Sequence, residues 1–245
     1  MSEAIPFFAM RLIAGIGFML LVMPRQKVTS AFFRILMLVC LGLGVVSALT
    51  TGNGPWVCGL LCLVSFLGSV LWLLERRSAG EICLVLVTAL GILETVRTML
   101  RLATSGEISI PEMSLSTLAA IGSLGATLSG MLLGHRYLTA PGMPLAPLER
   151  LNDAVGAAGL FRLGLSSYMV LAHGLPAVSG VESAWLLLRW VGGIFGPLAV
   201  WWLVRRILRY RNTQSATGVL FVGVILTFLG ELSGDLLTWS THVPY

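Results

Sequence analysis

Apolar residues in this chain come in long runs, each close to the roughly 20 residues a membrane-spanning helix needs. The runs lie at about 4–23, 31–51, 56–74, 80–102, 113–134, 156–178, 184–204 and 215–238. Between them stand residues that end helices: Pro24, Thr51-Gly52-Asn53-Gly54-Pro55, Ser78 to Gly80, Ser105-Gly106 and Ser179-Gly180. The pattern predicts an all-α integral membrane protein with eight transmembrane helices, forming a single transmembrane helical domain over 1–245. The first run has no basic stretch before it and no small-residue cleavage site after it, so it reads as a span rather than a cleaved leader.

Composition supports this reading. Hydrophobic residues make up 56% of the 245 positions and charged residues only 11%, against about 25% charged in an average soluble domain. A soluble fold of this size has nowhere to bury so much apolar surface. The net charge of +5 does not point to nucleic acid, because the basic residues sit at the ends of apolar runs. Arg25, Lys27 and Arg34 flank the first connection, and Arg76 and Arg77 the third. Arg136 and Arg150 flank the fifth, and Arg205, Arg206, Arg209 and Arg211 lie in the seventh. The second and sixth connections carry none, and only Arg97 and Arg101 run against the alternation. The asymmetry predicts cytoplasmic odd connections, both termini on the outer side, and residence among the lipids of the cytoplasmic membrane. The longest connection, a cytoplasmic loop at 135–155, has spaced prolines at 141, 144 and 147, which favour an extended strap that can turn into a short interfacial helix after Pro147. It reads as a connector or as a docking surface for a cytoplasmic partner.

The chain also reads as a tandem repeat with units 4–102 and 113–238. Phe66-Leu67-Gly68, Trp72 and Arg76-Arg77 match Ile194-Phe195-Gly196, Trp201-Trp202 and Arg205-Arg206. Phe32-Phe33-Arg34 matches Leu160-Phe161-Arg162, and Gly91 with Glu94 matches Gly230 with Glu231. Units of four spans would be parallel, related by an axis along the membrane normal.

Charges at bilayer depth are the candidate chemistry, since each costs at least about 2.5–3.5 kcal/mol and so faces a partner or a cavity. Glu94, Arg97 and Arg101 share one helix face, and Glu231 and Asp235 share another at i and i+4. With Arg11, His173 and Arg189 they fall in the outer half of the membrane. Arg34 and Arg162 are expected one turn inside their cytoplasmic ends, where long side chains snorkel. The plain reading is structural ion pairs. The sharper one is an outer polar pocket in which Glu231 and Asp235 exchange protons with a lipid-soluble quinone, bounded by Glu94, Arg97, Arg101, His173 and Arg189. Two acids one turn apart cannot both stay charged cheaply at low dielectric, which suits proton exchange. Arg97, Arg101 or Arg189 are the expected partners of the two acids.

Neither haem nor metal is expected. His135, His173 and His242 do not pair at one depth, and Cys40, Cys58, Cys62 and Cys83 lie in apolar runs without haem-attachment or zinc spacing. Gly130-x-x-x-Gly134 and Gly230-x-x-x-Gly234 predict close helix contacts. Gly192, Gly193, Gly196 and Pro197 predict a thin, kinked seventh span. Of six tryptophans, most, among them Trp56, Trp185 and Trp239, fall near run ends, as an interfacial belt requires.

The segment Asn212-Thr213-Gln214-Ser215-Ala216-Thr217-Gly218, followed by Leu229-Gly230-Glu231-Leu232-Ser233-Gly234, resembles the last helix of the NrfD-like membrane subunits. That family includes the polysulfide reductase and dimethyl sulfoxide reductase membrane anchors. The resemblance implies eight helices in two four-helix units, outward termini, no haem, and a quinone site near the outer face at or beside Glu231. It also implies electron exchange between quinone and an iron–sulfur partner subunit. Three readings stay open: a quinone-interacting subunit of a respiratory complex, a structural or assembly subunit, and a transporter of protons or small solutes.

Overall fold

The computed structural model describes residues 4–24, 27–50, 55–105, 108–140, 142–176 and 180–245. Arg25, Thr51 to Gly54, Gly106, Pro141 and Ser179, which serve as flanks and breaks in the sequence pattern, lie outside the described residues. The helices are α1 (Ala4–Val22), α2 (Ser30–Thr50), α3 (Pro55–Leu73), α4 (Arg77–Ser105), α5 (Ile110–Thr139) and α6 (Ala146–His173). They continue with α7 (Val181–Leu187), a π-helical stretch (Leu188–Phe195), α8 (Gly196–Arg209) and α9 (Thr213–Thr241). The seventh span is continuous from 181 to 209, so the described residues hold eight helices long and apolar enough to cross a membrane. Helices satisfy every backbone group internally, which a hydrocarbon environment demands.

Most spans run longer than the apolar runs alone, because polar residues at both ends continue the helix. The fourth, fifth and eighth begin and end about two to five residues outside the expected bounds. The largest difference is at 135–155. That segment is not an extended strap: α5 continues to Thr139 and α6 already begins at Ala146. Pro147 explains it. A proline in the first turn of a helix removes an N–H that has no partner there anyway, so it starts α6 rather than delaying it. Arg162 therefore does not stand near a helix end. It lies about 24 Å along α6 at 1.5 Å per residue and is wholly buried.

An even number of spans puts both chain ends at one end of the bundle, here the terminal end. The other, arginine-rich end carries Arg76, Arg136, Arg150 and Arg205 to Arg211. Each half of the chain closes a four-helix ring with the same order of neighbours. In the first, α1 packs on α2 and α4, and α3 on α2 and α4. In the second, α5 packs on α6 and α9, while the seventh span lies between α6 and α9. The matched landmarks sit in different surroundings. Trp72 is buried against Gly80 of the next span and stacks on Phe33 at 4.4 Å. Trp201 lies against Gly156 of the preceding span.

The rings meet chiefly along α1 and α5. Gly15 and Gly125 make this seam, and a Cβ on either would run into the backbone of the other. Gly193 and Gly230 form a second backbone contact of this kind, between the π-helical stretch and α9. Small residues let helices approach this closely without a hydrophobic driving force.

Candidate functional site

Five buried charged side chains converge inside the bundle from four elements. Glu231 and Asp235 project from one face of α9, one turn apart. Arg162 comes from α6, Arg189 from the π-helical stretch and Arg11 from α1. All are buried, Arg162, Arg189 and Glu231 to within 1% of full burial. Counted along their helices at 1.5 Å per residue, they lie roughly 9–17 Å from the terminal end.

Arg162 holds Glu231 as a two-pronged pair. Its Nε donates to Oε1 at 3.1 Å and its Nη2 to Oε2, the fork geometry in which guanidinium and carboxylate fit best. Arg162 Nη1 donates to the Ser116 hydroxyl of α5 at 3.0 Å. Arg189 Nη1 lies 3.1 Å from Glu231 Oε1 and also donates to the Gly230 carbonyl at 3.2 Å. Its Nε donates to the main-chain oxygen of Tyr245 at 2.9 Å. Asp235 pairs with Arg11, whose guanidinium carbon lies 4.2 Å from the centre of the Phe7 ring.

Local sequence explains how Arg189 reaches the cluster. Gly192 and Gly193 let the seventh span press onto α9 at Gly230. The π-helical turn inserts an extra residue and re-aims the side chains around it, a distortion often found at functional sites. Gly234 supplies the remaining room: a Cβ there would sit 2.8 Å from the guanidinium carbon of Arg189. The Gly230-x-x-x-Gly234 pair thus splits its work, one glycine meeting a backbone and the other a charged side chain.

The chain's last residues cover the cluster from the terminal end. His242 adopts a left-handed backbone with φ 58° and turns the chain off α9. Tyr245 then folds back, buried, among Ala119, Leu165, Met169 and Leu237. Its hydroxyl donates to the Gly174 carbonyl at 3.0 Å, and burial pushes the phenol pKa up.

The residues singled out from sequence fall into three places. Glu231, Asp235 and Arg189 belong to the cluster. Glu94 pairs with Arg97 of its own helix at 3.6 Å, and the Arg97 side chain, 52% exposed, lies over Trp56. Arg101, also exposed, donates to Thr98 at 3.3 Å. His173 meets Glu112 at 2.9 Å at the terminal end. Of the three arginines expected to meet the acids, only Arg189 does so; Arg97 and Arg101 lie on the α4 surface. Arg162, Ser116 and Tyr245 are not among the site residues expected from sequence. Arg162 is legible in principle, because reading Pro147 as a helix start moves it to mid-span.

A separate cavity of about 540 Å³ lies between α4 and α5, floored by Ala14 and Phe18 of α1. Its lining is apolar except for Thr95, Ser114 and Thr117. No group of three or more metal-ligating side chains occurs among the described residues. Cys40, Cys58, Cys62 and Cys83 are free thiols within the spans. Compared with family models, curated proteins and solved structures, the chain gives no match.

The chemistry open to the cluster is set by its ion pairing, in which Arg11 Nε is buried without a hydrogen-bond partner among the described residues. Both carboxylates face guanidinium groups, and the guanidiniums reach across helix boundaries. Such an arrangement fixes the helices of the second ring to one another and α1 to α9. Neither acid lines the 540 Å³ cavity.

Proposed function

We propose that this chain is a membrane-integral structural or assembly subunit of a larger membrane complex, with the five-charge cluster as its internal tie. One observation carries the reading: both acids of the cluster, Glu231 and Asp235, are consumed by arginines of neighbouring helices. The basic residues at one end of the bundle support a cytoplasmic position for that end, residence in the cytoplasmic membrane, and both termini outside. The chain then presents its lipid-facing helices to partner subunits. The test is purification in mild detergent followed by identification of the proteins that remain bound. Partner subunits in fixed stoichiometry are expected; a chain that leaves native membranes alone and monodisperse overturns the reading.

The quinone-interacting alternative, that of an electron-transfer subunit resembling the NrfD-like anchors, is favoured by the cluster's depth, since the acids lie within reach of one membrane face. It makes a different forecast for Glu231→Gln. In a structural cluster the variant loses thermal stability. At a quinone site it assembles normally and loses quinone-dependent electron transfer. Full turnover in an assembled Glu231→Gln complex would falsify the quinone reading.

A further inference from the structure

The arginine-rich end of the second ring is hollowed into a bowl of about 830 Å³. All four spans of that ring border it, with Tyr137 near the end of α5, Glu149 at the start of α6, Arg209 at the end of α8 and Thr213 at the start of α9. A hollow bordered this way opens along the bundle axis, to water, and not sideways to lipid. Met143, Leu145 and Leu208 give it apolar lining. A recess of about 200 Å³ beside Asp153 and Arg205 shares Glu149 and Leu208 with it, so the two form one trough.

The residues between α5 and α6 that border the trough are held in place. The Tyr137 hydroxyl donates to the Pro144 carbonyl, and the Leu145 carbonyl accepts from the Leu148 and Glu149 amides at 2.9 and 3.1 Å. A surface set in advance loses little entropy when a partner docks on it. Its charges are left open. Arg205 has Asp153 at 3.5 Å, but Arg209 and Arg211 make no ion pair among the described residues. Arg206 differs: it turns to the Trp202 ring, 4.3 Å away, on the exposed face of α8. Anchoring a helix end among lipid headgroups explains Arg206. It does not explain two arginines that line a hollow open to water.

The lining selects its occupant. Two cations against one acid, Glu149, favour an anion. Glu149 repels a bare phosphate, whereas a polypeptide offers it main-chain N–H groups. The apolar lining takes a hydrophobic side chain, and the unbranched Met143 adapts to its shape. We infer that this trough docks a cytoplasmic segment of a partner protein, with acidic side chains on Arg209 and Arg211 and an apolar side chain against Met143, Leu145 and Leu208. The inference rests on the assembly reading above in requiring a partner, and it names where and by what chemistry that partner is held.

The test puts the photo-crosslinking residue p-benzoylphenylalanine in place of Met143 in the full chain, in cells of the native host. For comparison it replaces Leu74, which lies exposed at the same end of the first ring. Adducts are mapped by mass spectrometry. Expected is one protein at 143 and not at 74, joined through a segment in which acidic residues flank an apolar one. Arg209→Gln with Arg211→Gln removes two exposed ion pairs and should lower that adduct roughly fivefold. Arg206→Gln should leave it unchanged. A melting temperature equal to wild type shows that the double variant is folded. If it is not, salt raised to about 0.5 M in inverted vesicles is expected to weaken the wild-type adduct instead. An adduct no stronger at 143 than at 74, a lipid adduct, or a segment without acids overturns the inference. So does an adduct unchanged in the folded double variant or, failing that variant, at high salt. Loss of the adduct in phosphate, against chloride of equal ionic strength, assigns the trough to a small anion and also overturns it. Partners that co-purify without an adduct at 143 defeat this inference and leave the assembly reading standing. An adduct at 143 on a chain that purifies alone reveals a transient cytoplasmic partner and overturns only the assembly reading.

Discussion

The Arg11–Asp235 pair isolates a single buried interaction. Asp235 forms its ion pair with Arg11, so its removal leaves a buried guanidinium without the carboxylate that faces it. Breaking a buried pair from one side typically costs about 3–5 kcal/mol, whereas replacing both partners by apolar groups is often neutral. Asp235→Leu alone is therefore expected to lower stability by about that amount. Arg11→Met with Asp235→Leu should recover most of the loss. Thermal unfolding of both variants in detergent measures the difference; additive losses would show that the two side chains do not interact. The sequence discloses both residues as intramembrane charges but not their pairing. Partners 224 positions apart leave no local signature, whereas Glu94 and Arg97, one turn apart, can be paired from spacing alone.

Among the helices, glycine is the residue whose position matters most, and its effect differs by site. Gly125 faces the backbone of Gly15 across the seam of the two rings, so even a methyl group must force α1 and α5 apart. Gly125→Ala is expected to cost about 1–3 kcal/mol, the usual penalty for overpacking. Gly218, on the exposed face of α9, meets nothing within 4 Å. Gly218→Ala should raise stability by up to about 1 kcal/mol through helix propensity. Comparing the melting temperatures of the two variants tests the seam directly, and similar shifts would refute it. Hydropathy makes the spans legible because a run of apolar residues is a property of sequence. It fails at the start of α6, where polar residues such as Glu149 and Asn152 continue a helix beyond the hydrocarbon zone. That failure alone hides Arg162. The π-helical stretch is half-legible: the glycines and Pro197 foretell an irregular seventh span, but not that it carries Arg189 inward.

On the scale of the whole molecule, the eight helices put both chain ends together and the arginine-rich connections opposite. With the four native cysteines replaced, Arg209→Cys should react with a membrane-impermeant thiol reagent only from the cytoplasmic side, and Ser240→Cys only from the outer side. Labelling of Arg209→Cys in intact cells overturns the orientation.

The separation between Arg11 and Asp235 also sets an order in time. Arg11 enters the membrane with the first helix, and its carboxylate is still 224 residues from being made. At 5–20 residues per second that delay is roughly 10–45 s. Throughout it, α1 carries an uncompensated cation. Arg162 waits for Glu231 in the same way, though only 69 residues separate them. The last helix is thus the keystone of biosynthesis: every nascent chain lacking α9 holds arginines with no acid to receive them. Chains truncated before residue 213 are expected to be degraded rapidly, and co-expression of α9 as a separate segment should prolong their lifetime.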